Sequence, residues 1–159
     1  MKLRENEQHK GYVRFNAEEI SLVATMLDVM SSTIDIMYFL MQRREERSFV
    51  VMLLSAQEIA LNDLIEKEKR DTDIMFEIDA ERKLYAVICQ DTKIDGGYHF
   101  AERLVRKTIE AGGKDLYCVE LEVRTTAYKI RYIIYRVMEL YIQAKRNGQS
   151  GEVIFKALN

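Results

Sequence analysis

The sequence predicts an α/β sandwich with a mixed, mainly antiparallel central sheet, preceded by N-terminal helices. Three observations carry that prediction. Apolar residues change period along the chain, from helical spacing to short continuous or alternating runs and back again. Two strand-like segments, residues 73–78 and 83–89, flank the polar stretch Asp79-Ala80-Glu81-Arg82, which reads as a hairpin turn. The 159 residues are 48% hydrophobic and contain no proline, enough apolar surface for one core built of regular elements joined by short turns.

Each element has its own signal. Asn16 before Glu18 and Glu19 is a helix start, because a capping side chain and early acids satisfy the orphan amides and the helix dipole. Apolar residues from Ile20 to Met41 keep helical spacing. Ser31 and Ser32 interrupt the stripe, and Ser32 with Asp35 predicts a second helix start there. Residues 43–47 form a charged break. The continuous run at 49–54 fits a buried strand, and residues 56–69 return to helical spacing. After the hairpin, Gly96 and Gly97 lead into a helix over 98–111, closed by Gly112 and Gly113. A strand over 116–123, a helix over 127–146 and a last strand over 152–155 complete the order.

Charge and composition exclude several functions. With 24 basic against 26 acidic residues, nothing drives the chain as a whole toward a nucleic-acid polymer. The longest uninterrupted apolar run is short, so no membrane span is expected, and the polar residues 1–10 do not read as a signal peptide. Cys89 and Cys118 lack metal-site spacing, and His9 and His99 stand far apart, so no zinc site is expected. The tyrosines at 128, 132, 135 and 141 read as packing residues, and the arginines of 42–47 as a solvated joint. The expected location is cytoplasmic.

Four short motifs then occur in a telling order. Arg70-Asp71-Thr72-Asp73 precedes the hairpin, and Gln90-Asp91-Thr92 follows its second strand. Ala101-Glu102-Arg103 lies in the next helix, and Ala144-Lys145-Arg146-Asn147-Gly148 precedes the last strand. In this order they resemble the second half of a GGDEF domain, the nucleotidyl-cyclase-like fold that makes or senses cyclic di-GMP. The resemblance spans residues 49–155. It divides the chain into an N-terminal helical region, 1–47, for dimerisation or signal relay, and a degenerate GGDEF-like domain, 48–159.

The departures are specific. Metal-bound phosphate chemistry needs hard oxygen ligands and a glycine turn that admits the nucleotide. Here the hairpin reads Asp79-Ala80-Glu81-Arg82-Lys83 without glycine, residues 50–55 contain no acid, and the stretch from there to Arg70 is too short for the family's two helices and substrate loop. Asp79 and Glu81 read as exposed turn residues rather than magnesium ligands. The chain is therefore expected not to be an enzyme, and to need no cofactor.

The Arg-x-x-Asp element has separate chemistry. An arginine fork meets guanine O6 and N7, and a carboxylate accepts from N1 and N2. The resemblance implies an inhibitory-type site in which Arg70, Asp73 and Arg103 hold cyclic di-GMP, with Arg106 assisting. The bland alternative is a surface ion pair beside solvated helix residues. The expected function is a non-catalytic cyclic di-GMP receptor of the kind that governs biofilm polysaccharide secretion, with a protein partner or a second copy met through the N-terminal helices. The alternative is a ligand-free dimerising scaffold.

Overall fold

The computed structural model describes residues 14–44, 47–90 and 94–159. The polar residues 1–10, His9 and the Asp91-Thr92 motif lie outside them, as do Glu45 and Glu46 within the charged break. Helix α1 (Ala17–Gln42) opens on a closed capping box: Asn16 Oδ1 accepts from the Glu19 amide at 2.8 Å, and Glu19 Oε1 accepts from the Asn16 amide at 2.8 Å. The expected interruption at Ser31 does not occur, and α1 is one helix of 26 residues. Ser31 Oγ instead donates to the Leu27 carbonyl at 2.6 Å, so its hydroxyl is satisfied without ending the helix.

Strand β1 (Phe49–Gln57) follows, then α2 (Leu61–Glu68), β2 (Ile74–Asp79), β3 (Leu84–Gln90), α3 (Ile94–Glu110), β4 (Lys114–Val123), α4 (Ile130–Arg146) and β5 (Val153–Leu158). The sheet order is β2-β3-β1-β4-β5, with β4 and β5 parallel and every other pair antiparallel. This is the expected mixed, mainly antiparallel sheet. β1 sits in the middle, covered on both faces, which is why it reads as an unbroken apolar run rather than an alternating one.

Two cores follow from the pleat of β1. Phe49, Val51 and Leu53 point to one side, where α1 and α4 cover them; Val50, Met52 and Leu54 point to the other, under α2 and α3. The buried stripe of α1, including Leu22, Met26, Met30, Ile34 and Met37, shares one core with Val119 and Leu121 of β4 and Ile134 and Val137 of α4. The break near residue 47 thus separates two elements of one core. α1 also carries an 18-residue stretch of mean hydropathy 1.5, long and apolar enough by length and composition to cross a membrane. Uninterrupted runs alone do not reveal this stretch. A core helix passes the same test, and the α1 stripe is packed against the sheet.

Element ends differ in instructive ways. α3 starts at Ile94, so Gly96 and Gly97 lie inside its first turn rather than ahead of it. Its end is as expected: Gly112 adopts φ +90°, and the Gly113 amide returns to the Thr108 carbonyl at 2.9 Å. α2 is shorter than predicted because β1 runs on to Gln57. Tyr128 precedes α4 and stacks on Tyr132 at 5.1 Å, whereas Tyr141 is buried and shares a 2.6 Å hydrogen bond with Ser55.

Candidate functional site

Arg70 and Asp73 occupy the turn between α2 and β2, closed by the Asp73 amide donating to the Arg70 carbonyl at 3.0 Å. The carboxylate folds back under this turn. Asp73 Oδ2 accepts from the Arg70 amide at 2.9 Å, and Oδ1 accepts from Arg70 Nη2 at 2.9 Å and Nε at 3.2 Å. Arg70 Nη2 also donates to the Gln90 carbonyl at 2.9 Å, joining the turn to the end of β3. Asp73 is 3% exposed, while the Arg70 side chain is 53% exposed. Asp73 therefore sets the orientation of Arg70, and the guanidinium is the part of the pair that meets solvent.

α3 supplies the facing wall. Its helical period puts His99, Phe100 and Arg103 on one side, and these three line a cavity of about 170 Å³ with Arg70, Asp73 and Cys89. Gly96 completes the lining. The Arg103 guanidinium lies 5.3 Å from the centre of the Phe100 ring and donates from Nε to Glu68 Oε1 at 3.2 Å. Lys107 Nζ reaches the other oxygen of Glu68 at 2.9 Å. That hydrogen bond, opposed by burial and aided by the charges of Lys107 and Arg103, holds the Glu68 carboxyl below its usual range. Cys89 is buried, which pushes its thiol up and leaves it an inert part of the wall.

The structure thus brings together Arg70, Asp73 and Arg103, three residues that the sequence places 33 positions apart at the extremes. It does not bring Arg106 to them. Arg106 is exposed, lies 3.9 Å from Glu110 and takes no part in lining the cavity. The expectation that Arg106 assists is not met at this cavity: three residues beyond Arg103, it lies one turn further along α3, beside Glu110. Sequence reading missed His99 and Phe100. Their signal was available once Arg103 was placed on a helix, since positions four and three residues earlier share its face.

The hairpin forms a second polar centre. Asp79 accepts from the Arg82 amide at 3.1 Å and from Arg82 Nη1 at 2.6 Å, and Arg82 Nη2 reaches Glu18 of α1 at 2.7 Å. The Arg82 amide is the leading cause that holds Asp79 below its usual range. A cavity of about 290 Å³ lies behind this bridge, lined by Glu18, Arg82, Tyr141 and Lys145 among others. Among the described residues no three histidine, cysteine or acidic side chains converge as a metal site.

No family model matches the sequence, and no curated protein matches it. Solved structures do match the fold. The GGDEF domain of DgcB from Caulobacter crescentus, in complex with c-di-GMP, aligns over 80% of this chain and 86% of its own at TM-score 0.64 and 10% identity. The active GGEEF domain of a diguanylate cyclase from Vibrio cholerae aligns over 77% of this chain and 91% of its own at TM-score 0.59 and 13% identity. Diguanylate cyclase SiaD from Pseudomonas aeruginosa, in complex with its activator SiaC, aligns over 98% of this chain and 75% of its own at TM-score 0.58 and 13% identity. These neighbours overturn the expectation that the chain is not an enzyme: its fold is one that diguanylate cyclases carry, one of them active. The chain has a GGDEF-like fold.

Proposed function

We propose that this protein is a diverged GGDEF domain that binds cyclic di-GMP in the cavity between Arg70 and Arg103 and passes the binding event to a protein partner. The observation that carries the reading is the convergence of Arg70, Asp73 and Arg103, from two separate elements, on one cavity in this fold. A cavity of about 170 Å³ takes a single base, not a whole dinucleotide. The ligand therefore inserts one guanine and lays its phosphates across the exposed guanidinium groups.

The division of labour follows from the contacts. Arg70, held through Nε and Nη2 by Asp73 and the Gln90 carbonyl, meets guanine O6 and N7 with its Nη1 group. Phe100 offers the edge of an apolar wall for the base, and Arg103 supplies charge for a phosphate once it exchanges Glu68 for the ligand. Output runs through α1, whose outer side exposes Ile20, Ile36 and Phe39 to a partner or a second copy. We place the protein in the cytoplasm, with α1 acting as a core helix.

Isothermal titration of cyclic di-GMP, with GTP as control ligand, tests the proposal. Micromolar binding lost at least tenfold in Arg70→Ala and in Arg103→Ala supports it. Absence of heat in folded wild-type protein, or equal affinity in all three, overturns it and favours the ligand-free scaffold.

A further inference from the structure

Glu120 is the one described carboxyl group that is wholly buried with neither oxygen hydrogen-bonded. It lies on β4 with Cys118 and Glu122 on the α3 side of the sheet, the alternate residues Val119 and Leu121 facing the other core. A buried polar group without partners is costly, so its position requires an explanation. Directly over it sits Gly97, in the first turn of α3. A side-chain Cβ at that position would lie 3.0 Å from Glu120 Oε2 and 3.2 Å from Val50 Cγ2. A side chain at position 97 would press on the carboxyl group and on Val50, so glycine is what lets this turn of the helix sit close over Glu120.

We propose that Glu120 is a proton-operated catch for the first turn of α3: neutral, it lets the turn seat on the sheet, and ionised, it must reach water and lifts the turn away. The same turn leads into Gly96, His99, Phe100 and Arg103, so lifting it opens one wall of the cavity. The consequence for ligand binding rests on the function proposed above; the movement itself does not.

Among the described residues, no side chain packed beside Glu120 is a cation that would hold the charge. β1 presents Val50 and Met52, and β5 presents Val153, Phe155 and Ala157 beside it. β3 contributes Cys89, with Asp73 and Arg70 beyond it, and β4 contributes Cys118 and Glu122, whose carboxylate is taken by Arg124 at 2.7 Å. From α3, among residues whose side chains are described, come Tyr98 and its hydrogen-bonded partner Glu102, with the Tyr98 ring 5.2 Å from Phe155. Burial alone raises the Glu120 carboxyl to about 8, which sets the working range. The folded form holds a proton that the open form loses, so opening becomes easier as pH rises toward that value.

The test is hydrogen exchange across residues 94–103 from pH 5.5 to 9, corrected for the intrinsic chemical rate, in wild type and Glu120→Gln. Linkage predicts that opening of this segment rises about tenfold per pH unit on the approach to pH 8 in wild type and stays level in Glu120→Gln. Gly97→Ala, which presses a methyl group onto the carboxyl, is expected to speed exchange of the segment already at pH 6.5. Cyclic di-GMP affinity is expected to fall about tenfold between pH 7 and 9 in wild type and less than twofold in Glu120→Gln. Level exchange in wild type, or the same rise in Glu120→Gln, overturns the catch. Should Glu120→Gln not fold, carboxyl carbon NMR of the wild type decides: a glutamate titrating near 8 in step with exchange supports it, and none above pH 6 overturns it. Absence of ligand binding at every pH defeats the proposed function, while exchange still decides the catch.

Discussion

Arg70 and Asp73 show how a three-residue spacing becomes a functional geometry. The turn that joins α2 to β2 aims the Asp73 carboxylate back at both the Arg70 amide and its guanidinium, so removing either partner disturbs more than a surface pair. Arg70→Ala is expected to lose ligand binding and to cost about 1–3 kcal/mol of stability, measured by chemical denaturation. That figure is held below the buried-pair range because Arg70 is half in solvent. Arg106→Ala is expected to leave affinity within twofold. Glu68→Gln makes the opposite case. By removing the carboxylate that occupies Arg103, it is expected to strengthen cyclic di-GMP binding severalfold by titration. The native Glu68 has a lowered pKa when folded, so its stabilisation is present above its ordinary pKa and is lost as acid reaches the lowered value. Arg70, Asp73 and Arg103 were legible because arginine and aspartate at fixed spacing before a hairpin form a pattern. His99 was not, because a lone histidine carries no pattern until its helix face is known.

At the scale of elements, the capping box of α1 and the apolar run of β1 were readable from single-residue chemistry, and both appear where that chemistry puts them. The errors came from residues with two physical uses. Serine ends helices or bonds back to the preceding turn, and Ser31 does the second. Glycine stops helices or admits close packing, and Gly97 does the second. α1 is a load on the core rather than an appendage. Met30→Ala, at a fully buried position facing the sheet, is expected to cost about 2–5 kcal/mol, and Asn16→Ala about 1 kcal/mol, both measured by denaturant midpoint. A Met30 variant that keeps full stability would show that α1 does not hold the core together.

For the whole molecule, strand order was legible only in part. Periodicity and the hairpin predict a mixed, mainly antiparallel sheet, but the central place of β1 depends on pairings between residues as far apart as Phe49 and Val123, which no local signal encodes. Burial of Glu120 was equally hidden, because an alternating strand puts an acid on a covered face only when a helix happens to lie there. Its effect belongs to global stability. With the folded carboxyl raised to about 8, its favourable contribution is complete below the ordinary glutamate range and is lost as pH climbs toward 8. Denaturation at pH 5.5 and 7.5 is expected to show wild type losing up to about 1.4 kcal/mol per pH unit relative to Glu120→Gln.

Cyclic di-GMP is proposed to sit between Arg70 and Arg103. NMR of the arginine Nε–Hε groups reads that place directly, with assignments from Arg70→Ala and Arg103→Ala. On adding cyclic di-GMP, the account predicts that the Arg70 and Arg103 signals shift and saturate together while Arg106 stays still. Shifts confined to other arginines, such as Arg82 beside the hairpin, or no shift at all in folded protein, would contradict it.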